Sequence, residues 1–225
     1  MSSHALRLVL FDVDGTLVDS QGDIVASMAA AFQAVGQDAP ARAAVLGIVG
    51  LSLQAAMQRL WPGGDAACHA QMVQAYKDSY VALRAAKGAA SSPLYPGARA
   101  VLEQLAQQPN VLLGVATGKS RRGLDALFDS HDLRAFFVTT QVADHHPSKP
   151  HPSMVLQAMA ETGVGPQDTV VVGDTSFDMD MAQAAGARAI GVSWGYHPLQ
   201  ALGAANHLIS DFAELPPLLD QIWSK

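Results

Sequence analysis

The chain alternates short, continuous apolar runs with longer amphipathic stretches. Residues 6–11 (Leu-Arg-Leu-Val-Leu-Phe) are apolar except for Arg7, the pattern of a strand buried on both faces. Residues 111–116, 169–173 and 189–193 repeat it, residues 136–139 form a less regular candidate, and 207–209 fit a short edge strand. Helical stretches lie between them at 97–107, 120–128, 152–162 and 175–185. Strands separated by single helices imply right-handed βαβ units and a parallel sheet covered on both faces. The expected fold is therefore α/β, with a doubly wound, Rossmann-like core.

Residues 20–90 break that rhythm, holding no strand-like run and much Ala, Gln, Met and Leu, which are good helix formers. Ile24, Met28, Ala31, Phe32 and Val35 recur at helical spacing, and Gly36 is a natural stop. Further helices fit 51–60 and 65–86, and the Pro- and Ser-containing stretch 89–97 reads as a linker. The pattern divides the chain into a discontinuous core, 1–18 and 92–225, and a helical cap, 19–91, inserted after the first strand. Met57, Leu60 and Trp61 read as cap core, and Trp223 as packing a C-terminal helix.

Composition narrows the function classes. At 225 residues, 49% apolar and 15% charged, the chain is long enough and apolar enough for one core plus a small module. A net charge of −6 argues against nucleic acid as a partner. No apolar run reaches the roughly 18–20 residues of a membrane span, so no membrane association is expected. One cysteine, Cys68, cannot form an internal disulfide, and residues 1–5 carry no targeting pattern, which together point to the cytoplasm.

Candidate chemistry sits at strand ends. In Phe11-Asp12-Val13-Asp14-Gly15-Thr16-Leu17, two carboxylates leave the carboxyl end of the first strand, where open parallel sheets bind ligands. An Asp-Gly pair alone is an ordinary turn. However, Gly173-Asp174-Thr175-Ser176-Phe177-Asp178 ends another buried strand with two more carboxylates, which alone could serve only to cap a helix. Two acidic clusters at one sheet edge make an oxygen-rich pocket suited to a hard cation, Mg²⁺ above all. Thr117 and Gly118 offer a hydroxyl and backbone N–H groups at a helix start, an oxyanion site. Lys149, between Ser148 and Pro150 in a proline-rich loop, is a candidate point charge for phosphate. Asp180, Arg121, Arg122 and the Asp144-His145-His146 run read as solvated surface.

The ordered set Asp-x-Asp-Gly-Thr, Thr, Lys, Gly-Asp-x-x-x-Asp resembles the haloacid dehalogenase-like hydrolase superfamily, in its helical-cap branch, over nearly the whole chain. Residues 192–196 (Val-Ser-Trp-Gly-Tyr) look most like phosphoglycolate phosphatases, although this segment is expected to lie outside the chemistry. The resemblance implies Asp12 as nucleophile forming an aspartyl-phosphate, and Asp14 as general acid, then base. It implies Thr117, Gly118 and Lys149 as holders of the phosphoryl oxygens. Mg²⁺ would be held by Asp12, the Asp14 backbone carbonyl and Asp174, with Asp178 either a ligand or an acceptor orienting one.

Relatives that cleave carbon–halogen bonds do not use the second Asp, and phosphonatases have Ala there, so Asp14 favours phosphate esters. The expected partner is a small-molecule phosphate ester such as phosphoglycolate or a sugar phosphate, acted on by a monomer or homodimer. A sugar phosphomutase is the alternative within the superfamily, and a non-catalytic binding protein the alternative outside it. Specificity is expected from the chain after Asp19 and from residues 47–52 (Gly-Ile-Val-Gly-Leu-Ser), whose small and apolar groups do not suggest a highly charged substrate.

Overall fold

The structure, a computed structural model, describes residues 5–224, so the targeting expectation for the first residues falls largely outside it. Six strands form one sheet: β1 (Arg7–Phe11), β2 (Val111–Thr117), β3 (Thr139–Val142), β4 (Thr169–Gly173), β5 (Arg188–Val192) and β6 (His207–Ile209). Their spatial order is β3-β2-β1-β4-β5-β6, and all pairings are parallel. The order reverses between β1 and β4, which makes their carboxyl ends the switch point where such sheets open a crevice.

Period-2 alternation sorts each strand onto two cores. Val9, Phe11, Val170 and Val172 face helices α5 (Ala98–Ala106), α6 (Arg121–His131) and α9 (Leu215–Trp223). Leu8, Leu10 and Val171 face α7 (Ser153–Thr162) and α8 (Ser176–Ala184). Both sides being apolar explains why these strands read as continuous runs. Trp223 packs against the first of these cores, with the Arg7 guanidinium 4.9 Å over its ring.

Between β1 and β2 lie α1 (Gln21–Ala34), α2 (Arg42–Leu46), α3 (Leu53–Leu60) and α4 (Ala66–Lys87), packed around a third core containing Ile24, Met28, Phe32, Met57 and Met72. This is the helical cap, inserted after the first strand. Trp61 and Leu60 pack at its edge. At five residues, α2 is too short to show a helical period and was not foreseen. No helix among the described residues is long and apolar enough to cross a membrane.

One strand is displaced from its expected place. Residues 134–136 form a 3₁₀ turn, and Phe137 stacks on Phe128 of α6 with centroids 5.2 Å apart. The aromatic pair thus serves helix packing, and pairing with β2 begins only at Thr139.

Candidate active site

Asp12 follows β1 directly, and its N–H continues the ladder by donating to the Val172 carbonyl at 2.9 Å. Asp174 follows β4, the neighbouring strand, so sheet pairing brings the two acidic clusters together. Asp12, Asp174 and Asp178 are all buried, and each offers a carboxylate oxygen within 4.8 Å of the others. Lys149, also buried, donates to Asp12 Oδ1 at 2.8 Å and to Asp178 Oδ1 at 2.6 Å. Among the expected residues, Thr117 is buried at the end of β2, and its Oγ1 accepts from the Lys119 N–H at 3.2 Å.

One ammonium facing three buried carboxylates leaves an excess of negative charge. Burial pushes Asp12 up to about 7, with the charges of Asp178 and Asp14 adding to the rise and Lys149 opposing it. Burial likewise raises Asp174 well above the ordinary carboxylate range, with Asp12 and Asp178 reinforcing it. For Lys149, burial works against the charge, but Asp12 and Asp178 outweigh it and raise its pKa. Asp12 Oδ2 is buried with no hydrogen-bond partner, a costly state for an anionic oxygen unless a cation or proton meets it. This orphaned oxygen beside two further carboxylates fits a small hard cation.

The neighbouring residues hold these oxygens in place. Asp174 Oδ1 accepts from Thr16 Oγ1 at 2.9 Å and Oδ2 from the Tyr196 N–H at 2.8 Å. Asp178 closes a capping box with Thr175, accepting at Oδ2 from both its N–H and its hydroxyl. One Asp178 oxygen thus caps α8 while the other accepts from Lys149. Gly15, at φ 90°, makes the turn that returns the chain after Asp14, and a Cβ there would stand 2.2 Å from Asp174 Oδ2.

Segment 192–196, expected to lie away from the site, instead packs against Asp174. A Cβ on Gly195 would stand 2.0 Å from the Asp174 Cβ, and the Tyr196 hydroxyl accepts from the Ser20 N–H at 2.9 Å. Its closeness arises because β5 neighbours β4, which a single sequence does not display. Gly195→Ala is expected to lower the melting temperature by roughly 2–12 °C, taking about 1–3 kcal/mol for overpacking and about 2–4 °C per kcal/mol at this length. Differential scanning calorimetry checks this. An unchanged transition would mean that Asp174 moves aside freely.

Asp14 points away from the carboxylate cluster. Its Oδ1 accepts from Ser20 Oγ at 2.5 Å, and its two oxygens take Lys119 Nζ at 2.7 and 2.8 Å. Lys119 is the residue the sequence reading missed. Its side chain is only 10% exposed, and its ammonium sits 5.0 Å over the Tyr80 ring. Burial opposes its charge, but Asp14 and Tyr80 raise its pKa. A lysine two residues after the strand-end threonine was the available signal.

Other surface expectations divide. Asp180 is exposed, as is His145. His146 is instead held between Gln141 Oε1 and Ser153 Oγ, so the adjacent histidines act separately. Arg122 is exposed, but Arg121 is tied to the end of β3 through the Thr140 hydroxyl and carbonyl.

The cap rests directly on this site. A Cβ on Gly118 would stand 2.6 Å from the Gly50 carbonyl oxygen and 2.7 Å from that of Leu51, so only glycine lets the turn seat there. The Ser52 N–H donates to Ser148 Oγ at 2.9 Å, one residue before Lys149. Between cap and core lies a cavity of about 410 Å³ whose lining includes Asp12, Asp14, Thr117 and Gly118.

The profile of the haloacid dehalogenase-like hydrolases matches residues 9–192. The chain is 35% identical to the probable phosphatase IndB of Dickeya dadantii (strain 3937), over 92% of this chain and 91% of that protein. It is 33% identical to a phosphoglycolate phosphatase of Pseudomonas putida, over 85% of this chain and 71% of that one. Among solved structures, the β-phosphoglucomutase of Clostridium difficile superposes with a TM-score of 0.83 at 18% identity, over 97% of each chain, a likeness of fold.

Proposed function

The chain belongs to the haloacid dehalogenase-like hydrolases, and from that premise we propose a Mg²⁺-dependent phosphatase that hydrolyses a small phosphorylated metabolite through Asp12. The related phosphatases support a phosphate monoester as substrate, with phosphoglycolate and sugar phosphates as the first classes to test. The observation that carries the reading is the unpartnered, buried Asp12 Oδ2 beside Asp174, Asp178 and Lys149. We place the cap boundary at residues 19–91 and the core at 1–18 with 92–225.

In this mechanism a carboxylate oxygen of Asp12 attacks phosphorus and the ester oxygen leaves, giving an aspartyl-phosphate that water then opens. Lys149, the Thr117 hydroxyl and the Gly118 N–H hold the phosphoryl oxygens as charge shifts in the transition state. Asp14 gives its proton to the leaving oxygen and afterwards takes one from the attacking water. Lys119 Nζ, at 2.7 and 2.8 Å from its two oxygens, holds the Asp14 carboxyl in place for both tasks.

Asp12, Asp174 and the Asp14 carbonyl would hold Mg²⁺. Asp178, whose oxygens accept from Thr175 and Lys149, is either a further ligand or an acceptor orienting one, and it also holds Lys149 in place. When bound, the ion neutralises the carboxylates and polarises the phosphoryl oxygens.

Removing metal with EDTA should abolish turnover, and Mg²⁺ should restore it better than Ca²⁺, which prefers more ligands at longer distances. Full activity in chelator-treated protein, followed by phosphate release, would count decisively against the metal. The same assay addresses the mutase alternative, which would keep the same four motifs: a mutase would isomerise a sugar phosphate without accumulating free phosphate. A non-catalytic binding protein would bind phosphate and release none. The burial of Asp12, Lys149 and Asp174 around one point speaks for catalysis.

A further inference from the structure

Resting on the phosphatase reading, we propose that the substrate's alcohol portion is bulky and largely apolar, larger than a two-carbon acid, and packs against the cap. The cavity between cap and core, about 410 Å³, falls in the range that encloses drug-sized ligands, roughly 300–1,000 Å³. It exists with the cap already seated, since Gly50 and Leu51 touch the Gly118 position and Ser52 bonds to Ser148. A glycolate unit would leave most of that space to water.

The chemistry of the wall points the same way. Ile24 and Met28 of α1, Val49 of the turn, Leu53 and Ala56 of α3, and Tyr76 of α4 all line the cavity. Tyr76 stacks on Tyr80 with centroids 5.9 Å apart, so its ring is fixed as a rigid flat surface. A substrate carboxylate would find little to answer it. Lys119, the buried cation of the lining, is committed to both Asp14 oxygens. Lys77, Arg84 and Arg122 are exposed or half-exposed, where solvent and salt weaken their pull. Gln74, Asp78, Ser120 and Asp144 line the cavity as well, and apolar burial against the cap side chains adds to the binding energy of the phosphate.

A series of primary alkyl phosphates separates this contribution from leaving-group effects, because chain length barely changes the acidity of the alcohol. Initial rates with Mg²⁺ would be measured for phosphoglycolate and for ethyl, butyl, hexyl and 2-phenylethyl phosphate. kcat/KM is expected to rise roughly fourfold per buried methylene, from about 0.8 kcal/mol each. Hexyl phosphate should then exceed ethyl phosphate by about two orders of magnitude, with phosphoglycolate below the butyl, hexyl and 2-phenylethyl esters. Leu53→Asn, at the half-buried first turn of α3, should flatten the slope. A rise of less than twofold from ethyl to hexyl, or phosphoglycolate as the best substrate, would overturn the proposal.

If no ester were hydrolysed, the phosphatase reading would fail, yet the pocket would still be tested by calorimetry with ethyl and hexyl phosphonate. At least tenfold tighter binding of the hexyl compound, with a more negative heat-capacity change, is then expected. Equal affinities would overturn it.

Discussion

Asp12→Asn is expected to lower kcat by roughly four to six orders of magnitude, the scale of other nucleophile deletions, while the protein stays folded. The amide nitrogen and oxygen fill the same space but cannot attack phosphorus. Folding should not suffer, because the buried Asp12 carboxylate is itself held at a disadvantage. It is pushed up to about 7 by burial and shares one ammonium with Asp178. Removing its charge leaves Lys149 paired with Asp178 alone, so the melting temperature should hold or rise. Single-turnover kinetics and a thermal melt on the same preparation read both halves. Activity above about a tenth of wild type would exclude Asp12 as nucleophile, and an unfolded variant would mean that Asp12 holds the strand ends together.

Asp14→Asn should cost about 10²–10⁴-fold, the usual contribution of a positioned acid or base, and the loss should depend on the leaving group. An alkyl phosphate expels a poor alkoxide that needs a proton, so its first step suffers most. An aryl phosphate leaves readily and should lose less there. In both cases the aspartyl-phosphate should persist, since the attacking water has lost its base. Rapid-quench measurement of acid-stable protein-bound phosphate shows this directly. Equal losses for both substrates with no accumulated intermediate would reduce Asp14 to an anchor for Lys119 and Ser20. Asn can still accept one hydrogen bond from Lys119, so the geometry of the helix start should survive the change.

The structure also qualifies a habit of reading motifs one by one. Asp178 reads from the sequence as a helix cap, a ligand or an acceptor orienting one, and its two oxygens accept from Thr175 and Lys149. Lys119 carried no assignment, although it sits beside Thr117 and Gly118 in the sequence. Its partner Asp14 is 105 residues away, and only the pairing of β1 with β2 brings them together. Segment 192–196, which carries the likeness to phosphoglycolate phosphatases and is expected to lie outside the chemistry, closes over Asp174 from β5.

What the sequence determined by itself was local and periodic. Strands buried on both faces must be apolar without interruption, so β1, β2, β4 and β5 are legible as runs, and the helix-forming stretch after Asp19 announces the cap. The acidic pairs at two strand ends were legible for the same reason, because parallel sheets expose those ends at one edge. Tertiary structure alone decided which oxygens face one another, which cation answers each carboxylate, and how much space the seated cap leaves above Asp12. Those outcomes depend on strand order and on cap-to-core contact between residues far apart in the chain, and a periodic pattern carries no record of such distances.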